Sequence, residues 1–178
     1  MSGVKIKNQV NTKKQDGKMS RDDMMSVYDN KHFLFGLFFS IGNRLQTAAD
    51  AFYEEITCKQ FFLSICVGLF QDSHPTINEL ADVFGSSHQN VKQIINKMEK
   101  NGYLKTYMDP DDKRKTRVCG TTKLEELGMK YNEKADQFLN SLYEGIKEED
   151  LEITCRTVAA IDKNLIKMGG KYESNRSI

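Results

Sequence analysis

A chain of 178 residues with 39% hydrophobic and 29% charged side chains has room for one domain, or one domain with an added element, and for a modest core. Two prolines, no tryptophan and many Leu, Lys, Glu and Met favour a mostly helical chain over a loop-rich one. The formal net charge of +1 excludes a whole-molecule field as the source of any affinity for a polyanion, so such affinity must come from a local arrangement of positive charge.

Residues 1–23 are lysine-rich, polar and without apolar period. Such a segment cannot bury enough surface to offset the entropy of ordering it, and it reads as a flexible basic tail. It carries no apolar stretch of signal-peptide length. The longest apolar run, Phe33 to Phe39, is far too short to span a bilayer. The four cysteines, Cys58, Cys66, Cys119 and Cys155, form no CxxC pair. Free thiols in a reducing cytoplasm are the simplest reading.

From Tyr28 a long helix is expected, with Leu34, Phe38, Ile41, Leu45, Ala48 and Phe52 along one apolar seam. Phe33, Phe35, Leu37 and Phe39 lie outside that seam, so its first half is apolar around most of its circumference. Burial on two sides is implied, once in the chain itself and once in a partner. A second helix follows Thr57 as N-cap, with Phe61, Phe62, Ile65 and Leu69 expected on its core face, and stops near Asp72–Pro75.

A tight helix pair comes next. Thr76 caps a short helix whose buried stripe is Ile77, Leu80, Ala81 and Phe84, and Gly85 ends it. Ser86 or Ser87 caps another, with Val91, Ile94, Ile95 and Met98 inward, ending at Asn101-Gly102. Two short helices joined by a short glycine-containing turn are the signature of a helix-turn-helix. Tyr103 to Met108 reads as a strand, Asp109 to Asp112 as a turn, and Thr116 to Cys119 as the returning strand, so that Lys113, Arg114 and Lys115 ride on a wing. Thr121 or Thr122 caps a long helix with Leu124, Leu127, Tyr131, Ala135, Phe138 and Leu142 at near-heptad spacing. A last helix begins around Glu148 and uses Leu151, Val158, Ile161, Leu165 and Met168. Long terminal helices with apolar seams pack on each other or on a symmetry mate.

The fold class expected is therefore mostly α with a small β-hairpin: a winged helix-turn-helix with long N- and C-terminal dimerisation helices. The segments are a tail at 1–23, an N-terminal dimerisation helix at 24–55, a winged helix-turn-helix at 56–120 and C-terminal dimerisation helices at 121–178.

The helix after Ser87 carries its chemistry off the buried stripe. His88, Gln89, Asn90, Lys92, Gln93, Asn96, Lys97 and Lys100 are polar or basic, and the only acid, Glu99, is at the far end. Gln and Asn pair bidentately with adenine, and Lys reaches guanine or a phosphate. First-turn residues of such a helix meet base edges. Base contacts are assigned to Ser87, His88, Gln89, Asn90 and Gln93, and base or backbone contacts to Lys92 and Lys97. Residues 76–120 hold eight Lys or Arg against six Asp or Glu, a surplus of two, but the positives concentrate on this helix and the wing. Lys113, Arg114 and Lys115 are placed in a minor groove, whose negative potential attracts guanidinium. Asp112 either holds Arg114 by a bidentate pair or only shapes the turn.

These residues resemble the MarR family of bacterial regulators across roughly 28–168. Ile56 to Phe61 is similar to the family's LTxxQF start, and Ile77 to Gly85 followed by Ser87 to Val91 and Ile94 to Gly102 resembles its helix-turn-helix. Asp109-Pro110-Asp111-Asp112-Lys113-Arg114 with Val118 looks like its DPxDxRxxxV wing. The resemblance implies a homodimer with intertwined first and last helices, two winged heads on a pseudo-palindromic duplex, and a small, often aromatic, ligand or an oxidant that releases DNA. The chain departs from the pattern at Gly120, where the family has Leu, and at Leu124, where Gly is common. The family's peroxide sensors place a cysteine in the first helix; the matching residues Tyr28 to Leu34 contain none.

Phe35, Phe38, Phe39, Phe61 and Phe62 are either plain core or the lining of an apolar ligand pocket between helical base and winged head. His32, His74 and His88 lie in different elements, so no metal is expected. Neither a nucleophile–base pair nor a phosphate loop is evident, so neither enzymatic activity nor a cofactor is expected. The expected function is a sequence-specific regulator, a repressor released by an aromatic or apolar ligand. The alternatives are a winged-helix protein-interaction module and a thiol-based redox regulator.

Overall fold

The structure is a computed structural model describing residues 28–174; the tail assigned to 1–23 lies outside them. Among the described residues six α-helices and one hairpin follow in the order α1 (Asn30–Phe52), α2 (Cys58–Leu69), α3 (Ile77–Phe84), α4 (His88–Lys100), β1 (Leu104–Met108), β2 (Thr116–Gly120), α5 (Thr122–Leu142) and α6 (Glu148–Ser174), with a short 3-10 turn at Gln71–Ser73 before α3. The chain divides into two compact units between Lys130 and Tyr131.

Local chemistry sets most boundaries in the first unit. Thr57 and Thr76 each accept a hydrogen bond from the backbone N–H three residues on, while Gln60 and Glu79 reach back to the cap's own N–H. Both are capping boxes, which satisfy two otherwise orphaned donors at each helix start. Ser87, rather than Ser86, caps α4 by accepting from the Asn90 N–H at 3.3 Å. Gly85 stops α3 at φ 69°, a left-handed conformation that glycine adopts without steric cost. Thr121 accepts from the Leu124 N–H and caps α5.

The core of this unit lies where α2, α3, α4 and the hairpin meet. Leu63, Leu80, Val91, Ile95, Met98, Leu104 and Val118 are fully or almost fully buried there. The stripes expected on α3 and α4 are the ones that turn inward, with Phe84 only half-buried. The face of α2 is a correction. Leu63, Cys66 and Val67 are buried, whereas Phe61 is half-buried and Phe62, Ile65 and Leu69 are exposed. The helix is apolar on most sides, so periodicity alone does not choose the inward face. On α1 only Ala49 is buried; Phe38, Ile41 and Leu45 of the expected seam are exposed within a single chain.

The hairpin pairs Leu104 with Gly120 and Met108 with Thr116, antiparallel and without a bulge in the ladder. Thr76 adds one bridge to Arg117, which stitches the cap of α3 to β2 on the side away from β1. In the second unit, Tyr131 is buried, α5 ends at Leu142, and α6 starts at Glu148 with three acids in its first turn. Negative charge there complements the helix dipole. Ile153, Val158, Leu165, Ile166 and Met168 are exposed along α6.

Candidate nucleic-acid interface

Burial of Val91, Ile94, Ile95 and Met98 rotates the opposite face of α4 to the surface. That face presents His88, Gln89, Lys92, Gln93, Asn96 and Lys97, all exposed. Ser87 serves as the cap. Asn90 is half-buried and its Nδ2 donates to Ser86 Oγ at 2.8 Å, which holds the amide against the helix start. Glu99, the acid at the far end, is engaged as well: its Oε1 accepts from the Thr106 N–H and hydroxyl at 2.9 and 2.7 Å. The contact ties the C-terminal turn of α4 to β1 and draws the carboxylate away from the exposed face.

In the wing, Asp112 does both things that its position suggested. It accepts the Arg114 N–H at 3.2 Å, shaping the turn. It also accepts from Arg114 Nε and Nη2 at 3.0 and 3.3 Å, a two-point grip on the guanidinium. The arginine side chain is still 91% exposed, so it is oriented without being covered. This donation from Arg114 holds the Asp112 carboxyl below its ordinary range. Lys113 and Lys115 are exposed beside it.

Three residues that position this surface escaped the sequence reading of their roles. Asp109 is 4% exposed although it opens a turn of acids. Its Oδ1 accepts the N–H groups of Asp111 and Asp112, and its Oδ2 accepts Arg117 Nε at 2.6 Å. Arg117 also donates from Nη1 to the carbonyls of Ser73 and His74 at 3.2 and 2.8 Å. The guanidinium thereby joins the wing to the segment leading into α3. Its donation lowers the Asp109 carboxyl, and the carboxylate raises Arg117 in return. His74, at φ 43°, adds a 2.8 Å hydrogen bond between Nδ1 and the Tyr107 hydroxyl of β1. A pattern of close acids followed by arginine hints at Asp109; nothing local points to the partners of Arg117, more than 40 residues away.

A cleft of about 250 Å³ opens where α3, α4 and the wing converge. His88, Lys92, Arg114 and Lys115 line it together with Thr76 and Asn78 of the α3 start. Gln89, Gln93, Lys97 and Lys113 lie outside that lining.

The aromatic residues assigned to a ligand pocket enter different ring contacts. Phe35 meets Phe39 edge-on at 5.2 Å on α1, Phe61 stacks on Tyr53 at 4.5 Å, and Phe62 lies 5.1 Å from Phe84. Among the cysteines, burial pushes the Cys58 and Cys66 thiols above their ordinary value, which suppresses the reactive thiolate. Among the described residues, no group of three His, Cys, Asp or Glu is placed to hold a metal ion. No helix among them is long and apolar enough to cross a membrane.

The sequence model of the MarR family matches residues 69–115, the stretch from the end of α2 to the wing. Over these residues the chain is similar to the MarR family. The MarR-type fold extends well beyond them. The structure of S. aureus MepR in a DNA complex aligns with a TM-score of 0.66 at 20% identity, over 77% of this chain and 99% of that one. A MarR/EmrR family transcriptional regulator from Acinetobacter sp. ADP1 aligns at 0.67 and 16% identity, over 78% and 99%. BpsR of Bordetella bronchiseptica, whose DNA binding is regulated by 6-hydroxynicotinic acid, aligns at 0.66 and 15% identity, over 76% and 96%. At these identities the shared property is the MarR fold, a helical frame with one antiparallel hairpin.

Proposed function

We propose that this chain is a DNA-binding transcriptional regulator of the MarR type. One observation carries the reading: the exposed face of α4 holds amide and basic side chains without an exposed acid, next to a wing whose Arg114 is aimed by Asp112. Gln89 and Gln93 read base edges in the major groove; Lys92 and Lys97 hold base edges or phosphates; Arg114, with Lys113 and Lys115, enters the minor groove. The functional unit is a homodimer on a pseudo-palindromic site, in which the exposed apolar residues of α1 and α6 are covered by the second copy. It acts as a repressor released by a small aromatic or apolar ligand. The regulation of BpsR by an aromatic acid supports that class of signal.

Selection of bound sequences from random duplex DNA, followed by affinity against salt on the winner, tests this reading. A two-fold-symmetric consensus bound far above scrambled DNA is expected. Binding without preference, or none, would remove the regulator reading in favour of a protein-contact module. A panel of aromatic acids is then titrated into the complex, and release by none of them would remove the ligand-controlled repressor.

A further inference from the structure

The cleft between α3, α4 and the wing is lined almost entirely by cationic and polar side chains. Of its lining side chains Lys92, Arg114 and Lys115 are cationic, His88, Thr76, Asn78 and Thr116 are polar, and Ile77 is the one apolar member. The acids nearest to it are already engaged. Glu79 accepts the N–H and hydroxyl of Thr76 at 2.7 and 2.8 Å, and Asp112 is gripped by Arg114 with Lys115 at 3.8 Å. Lys92 has no ion-pair partner among the described residues. At about 250 Å³ the cleft falls below the roughly 300–1,000 Å³ of sites that enclose drug-sized ligands. A tetrahedral oxyanion fits its charge and its size better than an apolar effector does.

Resting on the DNA-binding reading above, we propose that this cleft seats one phosphate of the DNA backbone in each half-site. The phosphate lies between the base pairs read by α4 and the minor-groove step entered by Arg114. Lys92 supplies the charge, and Asn78 donates a hydrogen bond from its amide. Asn78 thereby gains a role that the helix-turn-helix pattern does not assign, because it sits on α3 rather than on the reading helix. The seat fixes the register of the major-groove and minor-groove contacts relative to each other.

The test replaces each phosphate of the selected duplex, one at a time, with a neutral methylphosphonate. Affinity is measured for the full chain and for Lys92→Gln, Lys92→Arg and Asn78→Ala. In the parent one position per half-site, between the major-groove and wing footprints, should lose about tenfold, the scale of a hydrogen-bonded charge. That loss should shrink below about threefold in Lys92→Gln, where the partner is already gone, and return in Lys92→Arg. Lys92 and Asn78 are exposed, and unchanged melting curves will show that the variants fold. Selective binding with no phosphate coupled to Lys92 would sink the cleft assignment while leaving the regulator reading intact. Absence of binding to any duplex would remove both. Saturation by micromolar inorganic phosphate at fixed ionic strength, lost in Lys92→Gln, would reassign the cleft to a soluble oxyanion.

Discussion

Arg117 and Asp109 are the pair on which the wing depends. The carboxylate is almost fully buried, receives two backbone N–H groups and one guanidinium, and is held below the ordinary carboxylate range chiefly by Arg117. A depressed folded-state value stabilises the protein above the unfolded carboxylate value of about 3.9, and the contribution disappears as pH falls through the folded value. Thermal melts should therefore hold steady down to about pH 4 and then decline. Asp109→Asn should melt lower at neutral pH, show a shallower acid decline, and converge with the parent in strong acid. A constant gap at all pH values would mean that ionisation of Asp109 contributes nothing. Asp112 differs because its partner faces solvent. Asp112→Ala removes a negative charge from the proposed DNA side while releasing the Arg114 rotamers, so general affinity has opposing terms. Discrimination at the wing's base step should fall about threefold to tenfold, from the side-chain entropy that binding must then overcome. Selection experiments on the variant, scored at those positions alone, would check it.

Among the elements, α4 is the one whose two faces do separate work. Replacing Ile95 by Val should cost about 0.5–1.5 kcal/mol, and Leu80→Ala on α3 about 2–5, by chemical denaturation. Ser87→Ala should cost about 1 kcal/mol from loss of the cap. On the outer face, Gln89→Ala or Gln93→Ala should lose roughly 1–3 kcal/mol on the preferred duplex and relax one base pair. Lys97→Ala should weaken all sequences alike and reduce the salt slope by about 1. Identical behaviour of the two types on every duplex would undo the division into readers and clamps. A second element-level feature concerns the junction of β2 and α5. A Cβ built on Gly120 would stand 3.2 Å from Leu124 Cδ2. The two departures from the MarR pattern thus compensate: the side chain missing from the strand is supplied by the helix. Gly120→Leu and Leu124→Gly should each destabilise, and together should recover at least 0.5 kcal/mol of their summed cost in a double-mutant cycle.

At the scale of the whole molecule, legibility followed sequence separation. Thr57, Thr76 and Ser87 act on N–H groups three residues away, so a short window contained each cap and its partner. Stripes on α3 and α4 were readable because their polar faces are as marked as their apolar ones. The face of α2 was not, because Phe61, Phe62, Ile65 and Leu69 are as apolar as the Leu63, Cys66 and Val67 that turned inward. Asp112 and Arg114 stand two residues apart and could be paired on inspection. Arg117 could not be assigned, since its carbonyl acceptors Ser73 and His74 come from another part of the chain. Exposure of Phe35 and Phe39 on α1, and of Leu165 and Ile166 on α6, is the molecular-scale counterpart of the homodimer reading. Light scattering should give twice the chain mass, and Phe39→Glu should shift it towards the single mass and abolish tight binding to the palindrome while retaining weak half-site affinity.

The ties of Arg117 to Asp109, Ser73 and His74, with Glu99 bonded to Thr106, have a mechanical consequence. On neighbouring rungs of its ladder the hairpin is tied to the approach of α3 through Arg117 and to the last turn of α4 through Thr106. These ties leave it without a hinge of its own against α4. A push arriving anywhere on this framework turns helix and hairpin through the same angle, like the two tines of one fork. In the ligand-controlled dimer proposed above, the releasing signal would have to change how far apart two such forks are held.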